Sequence, residues 1–263
     1  MRRVIPLLSF LVTFYFLFAP SLAAQELKLP HPLAEWERDG FTLLKGLEEQ
    51  VRENPEDSQI HDSLAMLYNA LRRYPEAIRE NRWLIDREPR ETIYYNNLAW
   101  AYMCQYRFVE AERHLKRALH LNPENPLARH NLAMVLQAQQ KSEEAVFHFK
   151  ELIRLYPNDE ESLFEIGNIY LGLKRTDEAI KHYKAVLKLN PKDEDTLRKL
   201  GFCYVVKKDK GNAIRCLKRA LRLNKEDEVA RALLNIVEGK SDHFDLSVLK
   251  QIGPDRRWMR VEE

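Results

Sequence analysis

Residues 92–125 read TIYYNNLAWAYMCQYRFVEAERHLKRALHLNPEN, and each half of this segment predicts an amphipathic helix. The apolar face of the first half follows the i, i+3, i+4, i+7 spacing of a helix, at Tyr95, Leu98, Ala99 and Tyr102. The second half has one apolar face at Ala111, Leu115, Ala118 and Leu119. Asn122-Pro123 then ends the second helix, because proline restricts the residue before it and donates no backbone hydrogen bond. The segment is therefore predicted to fold as a helix-turn-helix unit.

The pattern of this segment recurs along the chain at a constant interval. Alanine occupies one equivalent position in every copy, in equal steps through Ala77, Ala111, Ala145, Ala179 and Ala213. A second small residue recurs at Ala65, Ala99, Ala133, Gly167 and Gly201, and a proline ends four of the copies, at Pro89, Pro123, Pro157 and Pro191. The small side chains let the two helices of a copy cross closely. The period predicts five such units, 58–91, 92–125, 126–159, 160–193 and 194–227.

This arrangement of small and large residues, with proline at the end of a unit, resembles the tetratricopeptide repeat (TPR). The resemblance covers residues 58–227 and implies an all-α fold, a right-handed α-solenoid of stacked helix-turn-helix repeats. Asn81 departs from the pattern, because later units have Leu, Phe or Tyr at that position, and Lys225 replaces the expected proline where the array ends. Ser142 and Thr176 are predicted to be the N-caps of second helices, because each precedes two acidic residues and an alanine.

Residues 1–24 have a basic start, an apolar segment over 4–19 and an exit of small residues, which predict a signal peptide. An uncleaved anchor is the alternative, since residues 4–24 are long enough to cross a bilayer. The repeats are expected outside the cytoplasm in either case, periplasmic or secreted in the first and membrane-anchored in the second. We expect a linker and degenerate half-repeat over 25–57, a capping helix over 228–238 and a tail over 239–263.

Charge and cysteine usage limit the partners further. The chain has 42 Lys+Arg and 40 Asp+Glu, so loss of residues 1–24, which contain Arg2 and Arg3, leaves 42 − 2 = 40 basic against 40 acidic residues. A neutral chain has no overall attraction to nucleic acid or to anionic lipid. The basic residues of the second helices are expected on a solvated outer face. Cys104, Cys203 and Cys216 are expected to be packing residues without a disulfide.

In a TPR solenoid the first helices line the concave side, and the resemblance places the candidate binding residues there. These positions are unusually apolar, and exposed apolar patches rimmed by polar groups mark interaction sites. We predict that aromatic and methionine side chains capture an apolar segment while asparagine amides bond to its backbone. The candidates are Asn96, Trp100, Met103, His130, Met134, Phe164, Asn168, Arg198 and Phe202. The alternative is that the tail, or a tight curl of the array, covers them.

His114, His148 and His182 share one position of the repeat, and Cys216 follows in the same series. His and Cys are metal ligands, but helices that pack about 8–10 Å apart cannot bring four such residues to one ion, so the series favours packing. The sequence contains no Gly-rich phosphate loop, His-Glu-x-x-His, Cys-x-x-Cys or Gly-x-Ser-x-Gly motif. We therefore predict no catalytic residue, no metal and no cofactor.

The leading hypothesis is a non-enzymatic, exported TPR scaffold that binds a partner protein or peptide in an apolar groove, within a cell-envelope assembly or secretion complex. A permanent structural subunit of a membrane-associated complex, with its groove filled, is the second hypothesis. A metal-binding carrier is the third and rests on the histidine series alone.

Overall fold

The computed structural model describes residues 33–240, with side chains from Gly40 onward. All regular secondary structure in these residues is α-helical, which confirms the all-α class expected for a TPR solenoid. The twelve helices are α1 (Leu33–Glu53), α2 (Ser58–Ala70), α3 (Tyr74–Arg87), α4 (Thr92–Cys104), α5 (Phe108–Leu121), α6 (Pro126–Ala138), α7 (Ser142–Leu155), α8 (Glu160–Gly172), α9 (Thr176–Leu189), α10 (Glu194–Val206), α11 (Lys210–Leu223) and α12 (Glu228–Glu238). The expected signal segment and the tail beyond Lys240 lie outside the described residues.

The chain divides into two compact units, the first ending at Ala128 and the second beginning at Arg129. In unit 1, α2 packs on α3 and α4 packs on α5. In unit 2, the pairs are α8 with α9 and α10 with α11, and α12 packs on α11. Over residues 33–240, no helix combines the length and the hydropathy that crossing a bilayer requires.

The small residues of the repeat lie where paired helices cross. A Cβ added at Gly167 would lie 2.6 Å from Cε1 of Tyr183, and one added at Gly201 would lie 2.8 Å from Cδ2 of Leu217. Asn81 is the unit 1 equivalent of Tyr183 and Leu217 in this repeat. It is fully buried, and its Nδ2 donates to the Ala77 carbonyl at 2.8 Å. Its Oδ1 has no hydrogen-bond partner, so this departure from the pattern leaves a buried polar atom unsatisfied.

Each turn from a first helix to a second helix contains one non-glycine residue in the left-handed region, at Arg72, Tyr106, Gln140, Lys174 and Lys208. The next backbone amide donates to the carbonyl five residues earlier, as in a Schellman motif. Because of this turn, α7 and α9 begin at Ser142 and Thr176, which are therefore helical residues and not caps. The N-cap residues, Lys141 and Arg175, make no side-chain capping bond. The predicted N-caps at Ser142 and Thr176 are therefore wrong.

Side-chain caps recur with the period of the repeat at the starts of first helices, and Asp209 caps one second helix, α11, by accepting from the Asn212 amide. Asp57, Asn125, Asp159, Asp193 and Asp227 each accept a hydrogen bond from a backbone amide two or three residues ahead. Glu91, in the same position before α4, makes no such bond. At the other end of the described chain, Gly239 ends α12 with φ 72.

The three cysteines are free thiols. Cys203 and Cys216 are buried, and burial raises the pKa of the Cys203 thiol to about 12 and that of the Cys104 thiol to about 11. Thiols with raised pKa values form little thiolate near neutral pH and are poor nucleophiles, so these side chains act as packing residues.

Candidate functional site

Three of the predicted binding residues, Asn96, Trp100 and Met103, lie on α4 in unit 1, and all three are buried. The ten consecutive residues 94–103 are buried, and Met103 is only 2% exposed. A ligand has no access to these side chains in this structure, and their role as partner contacts stays a prediction.

The predicted residues of unit 2 fall into two groups. His130, Met134, Phe164, Arg198 and Phe202 are half-buried and therefore accessible to a partner. Asn168 is buried: its Oδ1 accepts from the Tyr183 hydroxyl at 2.8 Å, and its Nδ2 donates to Glu165 Oε2 at 3.3 Å. The predicted hydrogen bond from Asn168 to a peptide backbone would have to compete with these two internal bonds.

The polar centre of this region is Lys199 on α10. Lys199 is 6% exposed, and its Nζ lies 5.4 Å from the centroid of the Phe164 ring. Within residues 33–240 no hydrogen bond or ion pair reaches Nζ, and Nζ is not among the fully buried atoms that lack a partner, so it keeps some contact with solvent. Phe202 lies three residues further along the same helix, so Phe164, Lys199 and Phe202 form one surface that we call the unit 2 face.

Glu165 on α8 lies within the electrostatic reach of Lys199. Burial raises the pKa of the Glu165 carboxyl, while the hydrogen bond from Asn168 and the charges of Lys199 and His130 act in the opposite direction. No direct ion pair joins Glu165 to Lys199 among the described residues. The ammonium group therefore has a nearby opposite charge but lacks a bonded acceptor, which an incoming carboxylate or carbonyl oxygen would supply.

Contacts with acidic side chains within unit 2 hold the two remaining candidates, His130 and Arg198. The Nε2 of His130 lies 3.6 Å from Oε1 of Glu161, and its ring meets Phe149 edge-on. Arg198 pairs with Asp195 and, at 3.3 Å, with Asp227, whose carboxylate also caps α12. The Nε of Arg198 is buried and has no hydrogen-bond partner. Arg198 thus stabilises the end of the array as well as bordering the unit 2 face.

Sequence reasoning missed Glu165 and Lys199, because charged residues on a helix are normally exposed. A signal for them existed in the period of the repeat. Asn97, Asn131, Glu165 and Lys199 occupy one equivalent position, two residues before the small residue of the helix crossing. The two asparagines and Lys199 are buried, so the repeat has a buried polar position that is charged in the last two repeats, at Glu165 and Lys199.

The histidine series packs against aromatic rings. His114 stacks on Tyr102 at 5.6 Å between centroids, and His182 lies 5.6 Å from Tyr170. Burial, aided by neighbouring cations, lowers the pKa of His114 and of His182 to about 4, so both are neutral near pH 7. Over residues 33–240, no three His, Cys, Asp or Glu side chains gather in a way that would hold a metal ion.

Paired α-helices that recur at a constant interval of sequence define a helical-repeat protein. Three tetratricopeptide-repeat family models match the sequence, over residues 63–126, 103–163 and 160–193. The chain is therefore a TPR protein, as the resemblance in the sequence implied.

Solved TPR structures share the fold. YrrB, described as a TPR protein with an unusual peptide-binding site, is 21% identical over 72% of this chain and 97% of its own, with a TM-score of 0.59. MamA from Desulfovibrio magneticus RS-1 is 17% identical over 66% of this chain and 98% of its own, with a TM-score of 0.61. PilF of Pseudomonas aeruginosa is 19% identical over 79% of this chain and 97% of its own, with a TM-score of 0.59. No curated protein matches the sequence.

These likenesses support a protein-binding scaffold at the level of the family. TPR folds are typically non-catalytic interaction scaffolds, and no enzymatic family is indicated.

Proposed function

We propose that the protein is an exported, non-enzymatic TPR scaffold that binds a partner protein or peptide on the unit 2 face. Lys199 is the observation that carries the proposal. Desolvating an ammonium group costs several kcal/mol, roughly, and a cation–π contact at a desolvated site returns about 2 kcal/mol. A ligand oxygen bonded to Nζ would offset this cost. We therefore expect the site to favour a partner that presents a carboxylate or a carbonyl group.

The half-buried rings beside Lys199 supply the apolar part of such a site. Phe164 and Phe202 are each partly accessible, and aromatic side chains are enriched at the cores of protein interfaces. His130 and Arg198 border them with polar groups that are already paired within the unit. The preferred ligand is therefore an apolar segment with one acceptor directed at Lys199. The peptide-binding site ascribed to YrrB gives a precedent within the same fold.

Export is the second part of the proposal and rests on residues 1–24, which the sequence predicts to be a signal peptide or an anchor. A cell-envelope assembly or a secretion complex is the corresponding setting. Immunodetection of the native protein in periplasmic, membrane and culture fractions tests this part. A purely cytoplasmic distribution would contradict it.

The binding proposal is tested with the full chain and a phage-displayed library of random peptides. The tightest selected peptide is labelled, and its affinity is measured by fluorescence anisotropy. We expect Lys199→Met to weaken binding by about thirtyfold, because removing one partner of a buried charged contact costs 2 kcal/mol or more, roughly. Lys181→Met, at an exposed position on α9, is the matched control and should leave the affinity unchanged.

The same substitution gives a second, opposite readout. Lys199→Met should raise the thermal midpoint of the free protein, because a buried charge without a bonded partner is replaced by an apolar side chain of similar length. Unchanged peptide affinity together with a raised midpoint would remove Lys199 from the binding site. Aggregation of the soluble chain without a partner would favour the permanent structural subunit instead.

A further inference from the structure

The second helices of unit 2 present a second surface, separate from the unit 2 face. Three basic residues occupy one exposed side of α9, and three more occupy the equivalent positions of α11 in the next repeat. We call this surface the outer basic face, made of Lys181, Lys184, Lys188, Arg215, Lys218 and Arg222. Within each helix the three residues are spaced i, i+3, i+7, so they form a row about 10 Å long.

Much of the positive charge of this face has no bonded acidic partner, although Lys184 and Arg215 lie within electrostatic reach of Asp209. Lys218 pairs with Glu238 at 2.9 Å, and Lys184 lies over the Tyr204 ring. Lys181, Lys188 and Arg215 make no ion pair with any of the described residues. The acidic residues of α9 are confined to its first turn, and α11 contains none. The neutral total charge of the chain therefore conceals a strong local separation of charge.

Exposed apolar side chains flank the two basic rows, with Leu189 and Leu223 about 100° around their helices from the preceding basic residue. Leu189 follows Lys188 and is 37% exposed, and Leu223 follows Arg222 and is 45% exposed. On α7 the equivalent row continues with Lys150 and Arg154, but its first position is Phe147, which is 58% exposed. Basic residues combined with exposed leucine and phenylalanine are the composition of surfaces that lie on anionic bilayers.

We propose that the outer basic face binds the surface of a bilayer that contains anionic lipids. Its lysines and arginines pair with headgroup phosphates, and Phe147, Leu189 and Leu223 enter the interface. A nucleic acid would use the charges but would leave the two leucines without a partner, since bases stack on aromatic rings. The proposal does not depend on peptide binding at the unit 2 face, which lies on the first helices.

The test measures partition of the full chain onto vesicles of phosphatidylcholine alone and of an equal mixture of phosphatidylcholine and phosphatidylglycerol. The readout is the ratio of the two partition coefficients, in which the contribution of residues 1–24 is common to every variant. The face variant carries Lys181→Glu, Lys188→Glu and Arg215→Glu. The control variant carries Lys174→Glu, Lys192→Glu and Lys208→Glu, which are exposed in turns of unit 2 and change the net charge equally.

We expect the wild type to prefer the anionic vesicles and the face variant to lose at least about a hundredfold of that preference, since each basic residue at such a surface contributes on the order of a factor of five to partition. The control variant should keep most of the preference, and high salt should abolish it in both proteins. Phe147→Ser should weaken partition onto anionic vesicles by about tenfold or more. Circular dichroism melts verify that each variant is folded.

Two results would overturn the proposal. Equal losses in the face and control variants would mean that net charge alone governs partition. If the wild type shows no preference for anionic vesicles but binds polyphosphate or heparin, and the face variant loses that binding, the face recognises a soluble polyanion instead.

Discussion

Gly167→Ala is expected to destabilise the protein although alanine is the better helix former. In the interior of α8 the substitution gains about 1 kcal/mol of helix propensity. The added Cβ, however, would lie 2.6 Å from Cε1, 2.9 Å from Cδ1 and 3.1 Å from Cζ of Tyr183. The Tyr183 ring is fully buried, and its hydroxyl donates to Asn168, so the ring moves only by breaking that bond.

The magnitude follows from these opposing effects. Overpacking a core costs about 1–3 kcal/mol, and leaving the Asn168 amide without its donor costs about 1–3 kcal/mol more. After the gain in propensity, the net loss of unfolding free energy is about 3 kcal/mol, within a range of about 1–5 kcal/mol. Urea unfolding followed by far-ultraviolet circular dichroism measures it as a lower midpoint at unchanged slope.

Two further variants test whether Gly167 lies at the crossing of α8 and α9. Gly46→Ala lies in α1 with no atom within 4 Å of the added Cβ, so it should stabilise the protein by about 0.5–1 kcal/mol. The preceding repeat, residues 126–159, has Ala133, Met134 and Phe149 at the positions of Gly167, Asn168 and Tyr183. The triple variant Gly167→Ala, Asn168→Met, Tyr183→Phe reproduces that combination and should recover most of the lost stability. If Gly167→Ala stabilises the protein as Gly46→Ala does, the assigned helix crossing is refuted.

Three other substitutions test the remaining features of the repeat. Asn81→Leu should stabilise unit 1 by about 1–2 kcal/mol, because it removes an unsatisfied buried oxygen and introduces the residue found at Leu115; a lower thermal midpoint would contradict this. Glu91→Asp should add about 0.5–1 kcal/mol in urea unfolding by supplying the missing N-cap of α4, whereas Glu91→Gln should not. The folded-state pKa of His182 is below its unfolded value, so its contribution to stability is complete above pH 6.5 and is lost as pH falls towards 4. His182→Gln should reduce the fall in urea midpoint over this range, and an identical pH profile would contradict the assignment.

Much of the fold was predictable because its determinants are local and periodic. Ala111 and Gly167 recur at fixed spacing, so the helix pairs and their crossings follow from the period. The left-handed turn residues were not predictable in this way. Tyr106 and Lys174 adopt a conformation that glycine or asparagine normally signals, and only the closed Schellman bond imposes it. Missing that turn led to the mistaken N-caps at Ser142 and Thr176.

The burial of α4 shows why the candidate site was harder to predict than the fold. Asn96, Trp100 and Met103 lie off the predicted core face of α4, which the spacing of its apolar residues predicts to have one solvated side. Yet α4 contains no charged residue, so it has no side that favours water, and residues 94–103 are all buried. A helix that is apolar all round is normally a buried one. In α4 the absence of charged residues predicts burial of the whole helix, whereas the spacing of its apolar residues alone predicts one solvated side.

Lys199 shows the opposite case, in which the residue type suggests exposure and the position in the repeat imposes burial. Its equivalents Asn97 and Asn131 are neutral amides, which can be buried at modest cost when they are hydrogen-bonded. Replacing an amide by an ammonium at the same buried position adds a desolvation cost that helix packing alone does not offset. A sequence optimised only for stability would keep asparagine there. If a partner bonds to Lys199 as proposed, a Lys199→Asn variant should be more stable but should bind less tightly than the wild type.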